Sequence, residues 1–186
     1  MSFPTESCFV SVCNGWDEGL LRHPANKFLH KFEASFAKGT MYSSAEPFGT
    51  WHTDDFTYTD ELGNTTTGAE AFEKERETYK TFLSEFHHWP LYVIVKETTE
   101  GYDCFGHADL YGNYKVPGDK TVTDPEGKSW QFKSSGTWRI TYRKDAKQPD
   151  GMKMSSMRLF VNALPLAAGA VKREMVPQDA MLLNAY

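Results

Sequence analysis

The stretch LYVIVKETTEGYDCFGHADLYGNYK, residues 91–115, decides the fold. Up to Pro90 the apolar residues recur at helical spacing; from Leu91 they alternate, and alternation sends successive side chains to opposite faces of an extended chain. LYVIVKE and YDCFGHADLYGNYK, joined by the polar turn TTEG, read as two antiparallel strands. SWQFKSSGTWRITYRK and MKMSSMRLFVNALP extend the meander beyond the polar linkers VPGDKTVTDPEGK and DAKQPDG. In 105–114, Phe105, His107, Asp109, Tyr111 and Asn113 share a polar face, while Gly106, Ala108, Leu110, Gly112 and Tyr114 share a mostly small one. Glycines 106, 112 and 136 predict bulges or kinks where the sheet curls.

Upstream, WHTDDFTYTDELGN predicts a short strand near Phe56 to Thr59, ended by a turn at Gly63-Asn64. A first helix starts at Pro24, carries Phe28, Leu29, Phe32 and Phe36 on one stripe, and stops at Gly39. A second starts at the capping box Thr67–Glu70, with Phe72, Tyr79, Phe82, Leu83 and Phe86 inward and Glu73, Lys74, Glu77 and Lys80 outward. Residues 1–23, with the β-like CFVSVC, form an N-terminal arm; 24–186 form one domain, whose tail ends in a short helix. Helices followed by long antiparallel strands make an α+β fold in which the N-terminal helices cover the concave face of a curved sheet and enclose a pocket.

The 186 residues are 40% hydrophobic and 24% charged, with no apolar run of spanning length and no secretory signal, a composition that predicts a cytoplasmic protein. A formal charge of -5 and the lack of a dense basic block argue against nucleic acid and membranes as partners and favour a small or neutral one. Cys8, Cys13 and Cys104 form no CxxC pair and read as small hydrophobes. Aromatic residues reach 15%, enough to line a pocket that is apolar in bulk with a few polar tips, or to fill a core. His52, Asp54 and Asp55 lie close together, but no HExxH or CxxC spacing appears, so no metal is expected. Without GxGxxG, GxxxxGK[ST] or GxSxG, neither a nucleotide cofactor nor acyl transfer is expected.

WHTDDFTYTDELGNTTTGAEAF and FVNALPLAAGAVKREMVP resemble the SnoaL-like branch of the nuclear-transport-factor-2-like (NTF2-like) superfamily over roughly residues 24–178. The resemblance implies a conical α+β barrel with one deep pocket, often a homodimer through the outer face of the sheet. Its members include polyketide cyclases, isomerases and scytalone dehydratase, besides non-catalytic binding proteins. The EFHHWP segment resembles the place where scytalone dehydratase keeps a histidine, which implies His88. Tyr114 falls where that enzyme has a second histidine, and Phe36-Ala37 stand in place of its Tyr-Asp pair.

The catalytic candidates are His88, His107, Asp109, Tyr114 and Tyr58. Imidazole exchanges protons near neutral pH, a carboxylate two residues along a strand can orient it, and a phenol can hold a developing oxyanion. Substrate-contact candidates are Tyr111, Asn162, Arg158, Trp138, Asp55 and Phe36. The resemblance to scytalone dehydratase implies that the small face of 102–115 is inward, whereas a bulge at Gly112 would bring both His107 and Tyr114 into the pocket. The expected function is cofactor-independent acid/base catalysis (isomerisation, cyclisation or dehydration) on a hydrophobic oxygenated intermediate of polyketide or terpenoid type. The alternative is a non-catalytic module that binds a small molecule or a protein. A lipocalin-like barrel is disfavoured by two long helices ahead of most of the sheet.

Overall fold

The computed structural model describes residues 7–37 and 48–177. Seven strands form one curved sheet in the order β1-β4-β5-β8-β9-β2-β3: β1 Cys8–Val12, β2 His52–Thr59, β3 Thr65–Thr67, β4 Leu83–Glu97, β5 Gly101–Tyr114, β8 Phe132–Lys144 and β9 Met152–Val161. A small hairpin, β6 Val122–Thr123 and β7 Ser129–Trp130, sits in the linker between β5 and β8. The helices are α1 Glu18–Leu21, α2 Pro24–Ala37, α3 Gly68–Phe82 and α4 Leu164–Lys172. The predicted α+β architecture is the observed one, with the antiparallel meander β4-β5-β8-β9 at its centre.

Three differences position the site. The helical stripe ends at Phe82, so Leu83 and Phe86 belong to β4, and His87 and His88 lie inside a strand. Pro90 is accommodated because β4 bulges between Pro90 and Tyr92, where a proline need not donate to the ladder. Secondly, β2 pairs in parallel with β9, which brings the His52–Thr59 strand alongside the end of the chain. Thirdly, β1 in the N-terminal arm is an edge strand, antiparallel to β4. The strand order does not close on itself, so the chamber is roofed by helices instead of by strand pairing. Thr67 precedes α3 as expected, but it is paired with Thr57 in the sheet and its side chain makes no capping bond. Helix α4, at Leu164–Lys172, was not expected ahead of the tail; the final short helix expected at the end of the tail falls on residues from 178 on, outside the described residues.

Phe28, Leu29 and Phe32 of α2 and Ala71 and Phe72 of α3 bury one stripe each against Phe56, Val93, Val95, Ile140 and Met154 of the sheet, the apolar contact that holds helices to sheet. Cys13 and Cys104 are buried and burial raises their thiols, Cys13 to about 11, in keeping with the role of small hydrophobes; Cys8 is exposed. The strand glycines do not mark bulges, since the β5–β8 register runs unbroken from Gly101 to Gly112. They make room for a side chain of the neighbouring strand. A Cβ on Gly106 would lie 2.3 Å from Trp138, one on Gly112 2.4 Å from Phe132, and one on Gly136 2.5 Å from Val161. Gly106→Ala therefore forces the Trp138 ring to move, and a loss of about 1–3 kcal/mol is expected in urea unfolding, as for other overpacked cores. Unchanged stability would show that the ring has slack.

Candidate functional site

Between the helices and the concave face lie two adjoining cavities, of about 60 and 110 Å³. Both are bounded by Glu75, Tyr79, His88, Trp138 and Leu159. Leu29, Phe32, Ile140 and Met157 make the first mostly apolar; the second extends past Tyr58, Ala108 and Leu110 to Asn162 at the end of β9. Such a hollow, apolar in bulk with a few polar groups, is the usual form of a small-molecule site.

His88 comes to the wall because β4 turns it inward while His87 and Trp89 face the other side of the sheet, His87 stacked on Trp130. Its Nδ1 lies 3.4 Å from Glu33 Oε2, within ion-pair distance though without hydrogen-bond alignment, and its Nε2 is 3.2 Å from the Tyr79 hydroxyl. With the Nδ1 proton toward Glu33, Nε2 is the basic nitrogen and accepts from the Tyr79 O–H. Glu33 and Tyr79 come from different helices, α2 and α3, so this trio exists only once both are docked.

A second imidazole–carboxylate pair adjoins the chamber through Glu75. His52 opens β2, is fully buried among Phe32, Phe48, Phe56 and Phe72, and has Nε2 3.3 Å from Glu75 Oε2. Tyr58, two residues beyond Phe56, is buried, and its phenol titrates well above the usual range because of desolvation and then the nearby Glu61, Glu75 and Asp60. It is therefore a neutral hydrogen-bond donor near pH 7.

Of the expected site residues, His88, Tyr58, Trp138 and Asn162 line the cavities. Ala108 and Leu110 do too, which fixes the small face of β5 as the inner one. His107, Asp109 and Tyr111 consequently face the opposite side, and no bulge at Gly112 turns them in. His107 stacks on Tyr92. Asp109 accepts from Ser135 Oγ at 2.5 Å and pairs with Lys133 at 2.7 Å, and Tyr111 is buried with Trp89 and Trp130. Tyr114 is on the inner side, but its hydroxyl donates to the carbonyls of Pro165 and Leu166 and so ties α4 to the sheet. Arg158 points outward over Phe160, and Asp55 is exposed and paired with Arg143 at 2.8 Å. The side chain of Phe36 lies outside the described residues. No group of three or more metal-ligating side chains occurs among the described residues, and no described helix is long and apolar enough to cross a membrane.

Sequence reading missed Glu33, Glu75, Tyr79 as a polar group, and His52 as anything but a metal candidate. The signal was present for Glu75: it falls three residues after Phe72 and four before Tyr79, on the apolar stripe and not on the solvated face. Glu33, next to Phe32 and four after Leu29, flanks the stripe of α2 in the same way.

No family model matches the sequence, and no curated protein matches it. Solved structures do. A scytalone-dehydratase-like protein from Novosphingobium aromaticivorans superposes with TM-score 0.55 at 11% identity, over 75% of this chain and 82% of that one. The Kfla4162 protein from Kribbella flavida gives 0.55 at 19% identity, over 78% and 93%. LinA gives 0.52 at 13%, over 76% and 88%. The fold is NTF2-like. At these identities the likeness is one of architecture, and within an NTF2-like frame chemistry has to be argued from the chamber itself.

Proposed function

We propose that this NTF2-like protein is a cofactor-independent acid/base enzyme, an isomerase, cyclase or dehydratase, acting on a hydrophobic oxygenated small molecule of polyketide or terpenoid type. The observation that carries the reading is the Glu33–His88–Tyr79 trio on the wall of a mostly apolar cavity. Glu33 orients the imidazole, and His88 Nε2 takes a proton from a carbon beside a carbonyl, directly or through the Tyr79 hydroxyl. Charge moves onto the carbonyl oxygen, where the Tyr58 phenol, on the wall of the cavity that His88 also bounds, donates a hydrogen bond to it. The apolar walls hold the substrate in place and keep water from the carbanion. The neighbour described as a scytalone dehydratase accords with an enzyme on this frame. A homodimer through the outer face of the sheet accords with this reading, and that face leaves Val10, Val12, Ile94 and Phe105 exposed.

The test is solvent deuterium uptake at the α-carbon of bicyclic ketones such as indanones and chromanones, followed by NMR. Enzyme-dependent exchange that saturates with ketone is expected. Saturable binding with no exchange for any member of the panel would reject catalysis in favour of a binding-only module.

A further inference from the structure

Glu75 is the one carboxylate shared by both cavities, and the proposed proton transfer does not use it. It projects from the middle of α3 on the side where Phe72 and Tyr79 pack, and only 4% of it is exposed. Around it the chamber wall is apolar: Phe32, Ile140, Met157, Leu159 and Trp138. Its Oε2 faces His52 Nε2 at 3.3 Å, yet no hydrogen bond satisfies that oxygen, and both ring nitrogens of His52 are likewise without one. A carboxylate has about four acceptor sites and no donor, and His52 faces this one only at ion-pair distance; buried acceptor sites left unmet are costly enough to be rare unless something else supplies the donors. Replacing Glu75 by an apolar residue of the stripe would remove that cost. Its presence on a cavity wall indicates a use for the acceptor.

We propose that Glu75 is the specificity-determining acceptor of the site and that the ligand carries a hydroxyl, placed away from the reacting carbonyl, which donates to the Glu75 carboxylate. The inference rests on the reading of the chamber as a ligand site, and it narrows the substrate class from oxygenated to hydroxylated. The chemistry is one-sided. A site built around a buried acceptor rejects ligands that lack the donor, because the acceptor is then desolvated and unpaired. It also rejects ethers of the same shape, which bring a second acceptor to an acceptor. Glu33, the other carboxylate of the first cavity, stands 3.4 Å from His88 Nδ1 with its side chain 19% exposed, so water can meet its remaining acceptor sites, whereas the Glu75 side chain is 3% exposed; the two acids then have separate tasks, one orienting the base and the other reading the substrate.

The experiment is calorimetric titration of matched hydroxy-, methoxy- and unsubstituted indanones and chromanones into the wild-type protein, Glu75→Gln and His88→Gln. Wild type is expected to bind the best hydroxy ketone at least about tenfold more tightly than its methoxy or unsubstituted counterpart, the range of a charge-assisted hydrogen bond. E75Q is expected to lose most of that preference while still binding the unsubstituted ketone. H88Q is expected to keep the preference even though its deuterium exchange is slowed by about 10²–10⁴-fold, which separates this inference from the catalytic reading. Equal wild-type affinity for hydroxy and methoxy ketones overturns the proposal, and does so without any variant should E75Q fail to fold. A preference retained in E75Q overturns it as well.

Discussion

His88→Gln is expected to slow deuterium exchange at the α-carbon by about 10²–10⁴-fold, the usual contribution of a positioned general base. Glutamine has nearly the reach of histidine, and its amide can still take the Tyr79 hydroxyl and face Glu33, so the trio keeps its packing. What it lacks is a nitrogen that binds a proton near neutral pH. The loss should therefore appear in the rate at saturating ketone, with affinity changed little, the signature of an interaction that matters only in the transition state. Calorimetric binding and the unfolding midpoint are the controls. Exchange within about threefold of wild type, with binding intact, would remove His88 from the reaction.

The second large effect lies on the far side of the sheet and has nothing to do with turnover. Trp130→Ala is expected to cost about 3–5 kcal/mol of stability, as for other buried tryptophans. Trp130 is 2% exposed, its indole N–H donates to Asp124 at 2.7 Å, and Lys128 lies 4.2 Å over its ring. It packs with Trp89 and Tyr111 against the outer face of β4 and β5, so removing it opens a cavity and leaves Asp124 without its donor. Urea unfolding should show a lower midpoint at similar slope, while the ketone affinity of the chamber on the concave side stays within about twofold at temperatures where the variant is folded. A loss below about 1 kcal/mol would show that this cluster is a loose cover. A large fall in affinity would return Tyr111 and its neighbours to the list of ligand contacts.

His88 marks how far one-dimensional reading reached. His88 was legible because histidine beside a predicted strand, in a segment resembling a known pattern, is a sufficient signal for a proton-handling group. Trp138 was legible from alternation, on a strand face shared with Phe132, Ile140 and Tyr142, and Tyr58 as a phenol on the short early strand. His107 and Asp109 looked equally good, since two residues along a strand do share a face, but alternation gives parity and not direction. Only the docking of Ala108 and Leu110 against the chamber turned that pair outward, where Tyr92, Ser135 and Lys133 occupy them. The helix boundary failed for a related reason. Leu83 and Phe86 continue the period of Phe72 and Tyr79 by chance of composition, and the sheet partners Tyr114 and Gly112 capture them as strand.

By itself the sequence determined the class of fold, two amphipathic helices and a four-strand antiparallel meander, because hydrophobic period is a local property that neighbouring residues impose on the chain. Charge and composition set only the expectation of a small or neutral partner. Only the tertiary structure decided which face of β5 is the inner one, that β2 lies parallel to β9, and that Glu33 meets His88 and Glu75 meets His52. Those pairings join residues 55 and 23 positions apart on separate elements, and a contact of that kind is set by how helix and sheet pack together, which no local pattern encodes.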